Sequence, residues 1–245
     1  MAASPQQSAV VFGVGAASGL GAALARRFAA EGLRVFIAGR TAETLDQVAA
    51  QIRADSGLVE PRVADATDEK QVIALLDEAD HETRLELVAY NVGNNIAAPL
   101  LSLTTEVFEN LWRQNALGGF LVGREAIRHM LPREHGTLLF TGATASLKAR
   151  PPFTSFASAK ASLRALAQGM AREFGPSGIH VAHIVIDGVI DGEYAAKHFP
   201  DFVKAKGKDG LLNVDEIANA YWALHKQPKS TWTHELDLRP FKEPF

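Results

Sequence analysis

The sequence predicts an α/β fold: one doubly wound domain in which a parallel sheet of about seven strands carries helices on both faces. Three observations predict it. Short β-branched runs alternate along the chain with longer segments of helical periodicity. The strand cores, among them AVVF, RVFIA, LVAY, TLLF and VAHIVI, are apolar residue after residue, as strands covered on both faces must be. A glycine-rich turn joins the first strand to the first helix. The chain has 245 residues, 47% of them hydrophobic, so it can bury a full core. No repeat, low-complexity segment or composition shift marks a second domain, and residues 1–245 are expected to form one unit.

The elements follow in order. Residues 8–14 form the first strand, and 20–30 the first helix. Residues 34–38 (RVFIA) are the second strand, followed by a helix over 42–54. Residues 58–64 and 68–80 repeat the strand–helix pair. The fourth strand is 85–92, and the long amphipathic stretch 105–130 is one helix. Residues 137–141 are the fifth strand, 154–174 a helix, 179–186 the sixth strand, 214–225 a helix and 234–238 the last strand. The longest irregular stretch, 191–213, contains Gly192, Pro200, Gly207 and Gly210 and follows the C-terminal end of a strand, where ligands bind in such sheets. It reads as a substrate lid carrying short helical pieces, or else as an uninvolved surface insertion.

Composition excludes several classes of function. The net charge is −3, with both signs mixed along the chain, so no basic stripe suggests nucleic acid. The chain has no cysteine, which excludes disulfide and thiolate chemistry and suits a reducing, cytoplasmic setting. The N-terminal stretch has neither a basic segment nor a long apolar one, so no signal peptide is expected, and no apolar run approaches the roughly 18 residues that span a bilayer. The eight histidines form no metal-ligand spacing, and no metal is expected.

The turn GVGAASGLG places Gly15, Gly19 and Gly21 between a strand and a helix. Dinucleotide turns need glycine for unusual dihedrals, for close approach of the pyrophosphate and for tight helix–strand packing. Amides at the start of the helix then face the phosphates, and Ser18 is placed to cap that helix and donate to a phosphate. The second strand ends in IAGRT. An acidic residue there would hold a ribose 2′-OH; instead Gly39 is followed by Arg40, whose guanidinium suits a 2′-phosphate. NADP(H) is therefore favoured over NAD(H), the other reading of Arg40 being a solvated surface side chain.

With these residues in view, the chain resembles the short-chain dehydrogenase/reductase family, whose members carry a Rossmann domain. The resemblance spans nearly the whole chain. It rests on the glycine turn, on Asp65 in ADATD, on Asn91-Val92-Gly93, on Asn115 in RQNALGGF, on Lys160 and on Gly188. It implies that Asp65 holds the adenine amino group and that Asn91 and Gly93 lie along the adenosine ribose. It further implies that Asn115 shapes its helix and holds a relay water, and that Lys160 grips the nicotinamide ribose. Ser18, Leu20, Arg40, Gly188 and Ile190 complete the implied cofactor set, and Asn115 and Lys160 are the implied catalytic residues. By the same resemblance the substrate is a small molecule and the chain a homodimer or homotetramer built through its long helices.

Two catalytic positions depart from the family's pattern. The catalytic tyrosine falls on Phe156 in SFASAK, and the serine that holds the substrate oxygen falls on Ala143 in FTGATAS. A tyrosine four residues before Lys160 would share its helix face, and the ammonium would lower the phenol's pKa; Phe156 has the ring without the proton. Asp187 stands where proline usually precedes Gly188 and reads as a turn cap or a general base. Thr144, Ser146, Ser155, Ser158 and Tyr90 supply nearby hydroxyls. Two functions remain: an oxidoreductase with a non-standard catalytic set, reducing an activated C=C or a carbonyl, and a non-catalytic NADP(H)-binding sensor or partner subunit.

Overall fold

The computed structural model describes residues 6–244, apart from the side chain of Tyr194. Among them the strands are β1 Gln7–Phe12, β2 Arg34–Gly39, β3 Val59–Val63, β4 Arg84–Tyr90, β5 Gly136–Thr141, β6 Ile179–Ile186 and β7 Glu235–Leu238. The α-helices are α1 Leu20–Ala30, α2 Ala42–Ala54, α3 Glu69–Glu82, α4 Thr105–Trp112, α5 Gly118–Met130, α6 Thr154–Phe174, α7 Glu193–His198, α8 Pro200–Lys206 and α9 Val214–His225. The strands form one sheet in the order β3-β2-β1-β4-β5-β6-β7, every pair parallel. The strand order reverses between β1 and β4, which opens a crevice above their C-terminal ends.

The apolar runs explain the layers. Ala9 and Val11 of β1 face a core that holds Leu24, Phe28, Ile37 and Tyr221. Val10 and Phe12 face the other core, with Phe36, Val88, Tyr90, Phe140 and Leu163. Burying a leucine or phenylalanine stabilises by about 1.5–3 kcal/mol, several times any difference in helix propensity. Packing of Leu24 and Phe28 on the sheet, rather than propensity, therefore holds α1 in place.

Three expectations need correction. The stretch 105–130 is not one α-helix: a π turn at Arg113–Leu117 separates α4 from α5. The cause lies in Asn115, whose Nδ2 donates to Leu111 O at 2.9 Å, the acceptor its own backbone N–H would take in an α-helix. Ser18 does not cap α1, which starts from Gly19 without a side-chain cap. The first strand ends at Phe12, because Gly13 at φ +86° and the residues after it turn away. Residues 191–213 carry the two short helices α7 and α8, and a bridge between Ile190 and Leu212 closes their base.

The start of α3 shows how one side chain fixes an element. Asp68 accepts from Lys70 N at 2.9 Å and Gln71 N at 3.2 Å, which satisfies two amides that the helix leaves unpaired. Asp68→Ala is expected to cost about 1 kcal/mol, read as a lower urea midpoint with an unchanged slope. An unchanged midpoint would mean that water replaces the cap at no cost.

Candidate functional site

The candidate residues lie on the turn after β1, the residues after β4, the π turn, the ends of β5 and β6, and the start of α6. Gly13, which follows β1 directly, was not singled out from sequence although it belongs to the same GVG run. A Cβ there would lie 2.7 Å from the Asn91 carbonyl carbon, so only glycine lets the two loops close up. Gly15 differs: a Cβ on it would meet no protein atom within 4 Å. Nothing inside the protein demands glycine at Gly15, whereas a ligand lying on the turn would. A Cβ on Gly19 would meet Ala16 O at 3.0 Å, and one on Gly21 would meet Gly13 O at 2.6 Å.

Asn91 ties this turn to β5. Its Nδ2 donates to Gly13 O at 3.2 Å, and its Oδ1 accepts from Thr141 Oγ1 at 3.0 Å. Because Thr141 gives its only hydroxyl proton to Asn91, the 2.8 Å bond between Thr141 Oγ1 and the Tyr221 hydroxyl must have Tyr221 as donor. A directed chain thus runs from Tyr221 of α9 through Thr141 and Asn91 to the glycine turn. Burial raises the pKa of Tyr221, so it stays a donor at any ordinary pH. Neither Thr141 nor Tyr221 was legible as a site residue, since Tyr221 reads as core.

Lys160 and Asn115 meet over Gly93. A Cβ on Gly93 would lie 3.1 Å from Lys160 Nζ and 2.9 Å from Asn115 Oδ1. Lys160 is 4% exposed and donates to Thr141 O at 2.8 Å. Burial alone brings its pKa from 10.5 down to about 8. Asn115 is fully buried, and its Oδ1 has no hydrogen-bond partner among the described residues. The Phe156 ring lies with its centroid 5.8 Å from Lys160 Nζ, and Ala143 opens the short turn Thr144–Ser146 after β5.

Asp65 sits after β3, its Oδ1 accepting from Thr67 N and Thr67 Oγ1 at 2.8 Å. Arg40 is exposed at the end of β2 and has no hydrogen-bond or ion-pair partner among the described residues. Gly188, at φ +151°, packs on Pro240, and Gly192, at the start of residues 191–213, lies against Ser18 O. Asp187 neither caps a turn nor stands free as a base: Thr144 Oγ1 donates to its Oδ1, and Arg239 pairs with its Oδ2. Away from the crevice, Asp77, Glu125 and His129 come within 4.8 Å of one another on α3 and α5. His129 also faces Asp80, and Arg128 and Arg133 pair with the carboxylates, which makes an ion-pair network. No helix among the described residues is long and apolar enough to cross a membrane.

Comparison with known proteins identifies the family and the fold. Residues 9–201 match the family profile described as short chain dehydrogenase. A gluconate 5-dehydrogenase of Gluconobacter oxydans (strain 621H) is 29% identical over 225 residues, which cover 91% of this chain and 82% of that protein. The crystal structure of a short-chain dehydrogenase from Rhodopseudomonas palustris superposes with a TM-score of 0.81 at 40% identity, over 96% of this chain and 99% of that one. A gluconate 5-dehydrogenase from Burkholderia cenocepacia J2315, in complex with NADP and tartrate, shares the fold with a TM-score of 0.82 at 24% identity, over 96% of this chain and 94% of that one.

Proposed function

The chain belongs to the short-chain dehydrogenase family, and from that premise we propose that it is an NADP(H)-dependent oxidoreductase with a non-standard catalytic set. One observation carries the reading. Lys160 and Asn115 converge over Gly93, and Asn91 is tied to the glycine turn; the resemblance puts Phe156 and Ala143 where the family's tyrosine and serine are expected. Gly15, Ser18, Gly19, Leu20 and Gly21 would line the pyrophosphate, and Arg40 would meet the 2′-phosphate. Asp65, Asn91 and Gly93 would hold the adenosine, and Lys160, Gly188 and Ile190 the nicotinamide half. Gly15, which no protein atom crowds, and the convergence of Lys160 and Asn115 support the fit. NADPH, when bound, supplies a hydride.

The chain's own residues then set the chemistry. Ala143 offers no hydroxyl to a substrate oxygen, and Phe156 no proton. A missing general acid costs roughly 10²–10⁴ in rate and a missing oxyanion donor roughly 10²–10³. Activated C=C bonds and activated carbonyls of small molecules are the substrates that tolerate this loss. Residues 191–213 form the lid of this site, a reading supported by Gly192 against Ser18 and by the bridge at its base. The groove between α5 and α6, lined by Phe120, Leu166 and Met170, is the surface through which two or four copies would assemble. We assign the cysteine-free chain to the cytoplasm. The same two apolar positions also favour a second reading, a non-catalytic NADP(H) sensor.

Calorimetric titration tests the cofactor. NADPH is expected to bind more tightly than NADH. Arg40→Ala is expected to weaken NADPH about 10- to 100-fold, the worth of a charge-assisted bond to phosphate, and to leave NADH unchanged. Absence of binding for both nucleotides would overturn the proposal.

A further inference from the structure

We propose that Lys160 is itself the proton donor of this site, delivering from Nζ the proton that a tyrosine would otherwise deliver. The inference rests on the reading of the chain as a reductase and names the acid which that reading lacks.

The hydroxyls around the crevice are committed elsewhere. Thr144 Oγ1 donates to Asp187, and Asp187 is already paired with Arg239. Ser146 Oγ donates to Ala143 O at 2.7 Å, and Ser158 Oγ to Ser155 O at 2.8 Å. Tyr90, buried at the end of β4, donates to Gln114 O. Tyr221 gives its proton to Thr141. Ser155 is buried, and its Oγ has no hydrogen-bond partner among the described residues, so it is the rival that the experiment must remove.

Lys160 has donors to spare. An ammonium carries three N–H groups: the hydrogen bond it makes to protein among the described residues uses one, on Thr141 O, the ribose contact assigned to it above would use a second, and the third is left for a substrate oxygen. Nζ and Asn115 Oδ1 both lie over Gly93, at most about 6 Å apart, a gap that one water would be able to span. Asn115 Oδ1 needs a donor there, since it has none. A water there would return a proton to Nζ.

The electrostatics keep the ammonium acidic. No carboxylate acts on Nζ, and burial alone brings its pKa to about 8. The titratable and charged groups around it are each neutral or engaged. His183 of β6 is held neutral by burial, its pKa about 4, with Nδ1 3.2 Å from Glu235. Arg164 of α6 pairs with Glu235 of β7, Asp187 with Arg239, and the phenols of Tyr90 and Tyr221 stay protonated. The step balances. The carbonyl carbon, or the β-carbon of an enone, would take the hydride that a bound dihydronicotinamide would supply. The N–H bond of Lys160 breaks, and its proton goes to the oxygen, or to the α-carbon through the enol. The neutral amine would then regain a proton from a water held by Asn115 Oδ1.

The test combines a titration of the protein alone with kinetics. In protein carrying ¹³C-labelled lysine, one Cε resonance is expected to titrate near pH 8, apart from the others, and to vanish in Lys160→Arg. NADPH oxidation is then followed with 2-cyclohexenone and phenanthrenequinone across pH. Turnover of the wild-type chain is expected to fall about tenfold per pH unit above pH 8. Lys160→Arg keeps a cation but cannot release a proton near neutral pH; it is expected to bind NADPH within about tenfold of wild type and to lose turnover at least 100-fold. Ser155→Ala is expected to leave turnover unchanged.

A Lys160 resonance titrating with the other lysines above pH 10, or full turnover in Lys160→Arg, overturns this inference alone. A 100-fold loss in Ser155→Ala transfers the role to Ser155 and overturns it likewise. No NADPH binding, or binding without oxidation of NADPH on either substrate, overturns the reductase reading together with it.

Discussion

Phe156→Tyr combined with Ala143→Ser is expected to raise NADPH-dependent carbonyl reduction by about 10²–10⁴-fold over the unmodified chain. The argument is geometric. Phe156 and Lys160 are four residues apart in α6, so they share one face, and the ring centroid lies 5.8 Å from Nζ. A phenol on that ring would lie in the field of an ammonium that no carboxylate neutralises, which lowers the phenol's pKa. Ala143 is half-buried in extended backbone just after β5, a conformation that serine adopts without new strain. The two groups act on one oxygen, so their effects are not additive. Phe156→Tyr alone is expected to give most of the gain, and Ala143→Ser alone little. The measurement is the initial rate of NADPH oxidation with an activated ketone, in all four combinations. No gain in the double variant would mean that the start of α6 does not present residue 156 to substrate.

The sheet was legible because its causes are local. Runs such as AVVF and VAHIVI are buried on both faces, and each became a strand within two residues of the expected bounds. The glycine turn was legible for the same reason. Features set by distant partners were not. The π turn depends on Asn115 reaching back to Leu111 O while its Oδ1 faces Gly93, 22 positions away in the chain. Asp187 looked like a cap because nothing in its neighbourhood names Arg239, which pairs with it from beyond β7. Tyr221 sits in an ordinary apolar helix pattern, and only folding brings its hydroxyl to Thr141, 80 residues earlier. The family resemblance found Lys160 and Asn115; the unpartnered Oδ1 and the spare donors of Nζ appear only when the two meet.

Lys160→Met is expected to make the protein more stable at pH 7 while abolishing tight NADPH binding. The folded state holds the Lys160 ammonium out of water with no counter-charge, and its pKa falls from 10.5 to about 8. At pH 7 a shift of that size corresponds to about 3 kcal/mol of destabilisation. Methionine fills much the same space without a charge. Thr141 O loses its donor, which returns about 1 kcal/mol, so the net gain is about 2 kcal/mol. For a chain of this length that is about 4–8 °C in Tm. The sign depends on pH. Between pH 8 and 10.5 the unfolded lysine still binds a proton that the folded one has released, so the stability of the unmodified chain rises with pH. The advantage of the methionine variant is therefore full below pH 8, shrinks above it and is gone near about pH 10. Thermal unfolding of both proteins from pH 6 to 10.5, with NADPH titrations at pH 7, checks both halves. A constant difference in Tm across that range would show that the gain comes from packing and not from the buried charge. A variant less stable at pH 7 would show that the Thr141 contact outweighs desolvation. A buried cation that lowers stability and is matched by no carboxylate is what a binding or catalytic role predicts, and loss of NADPH binding in the more stable protein would tie that cost to the site.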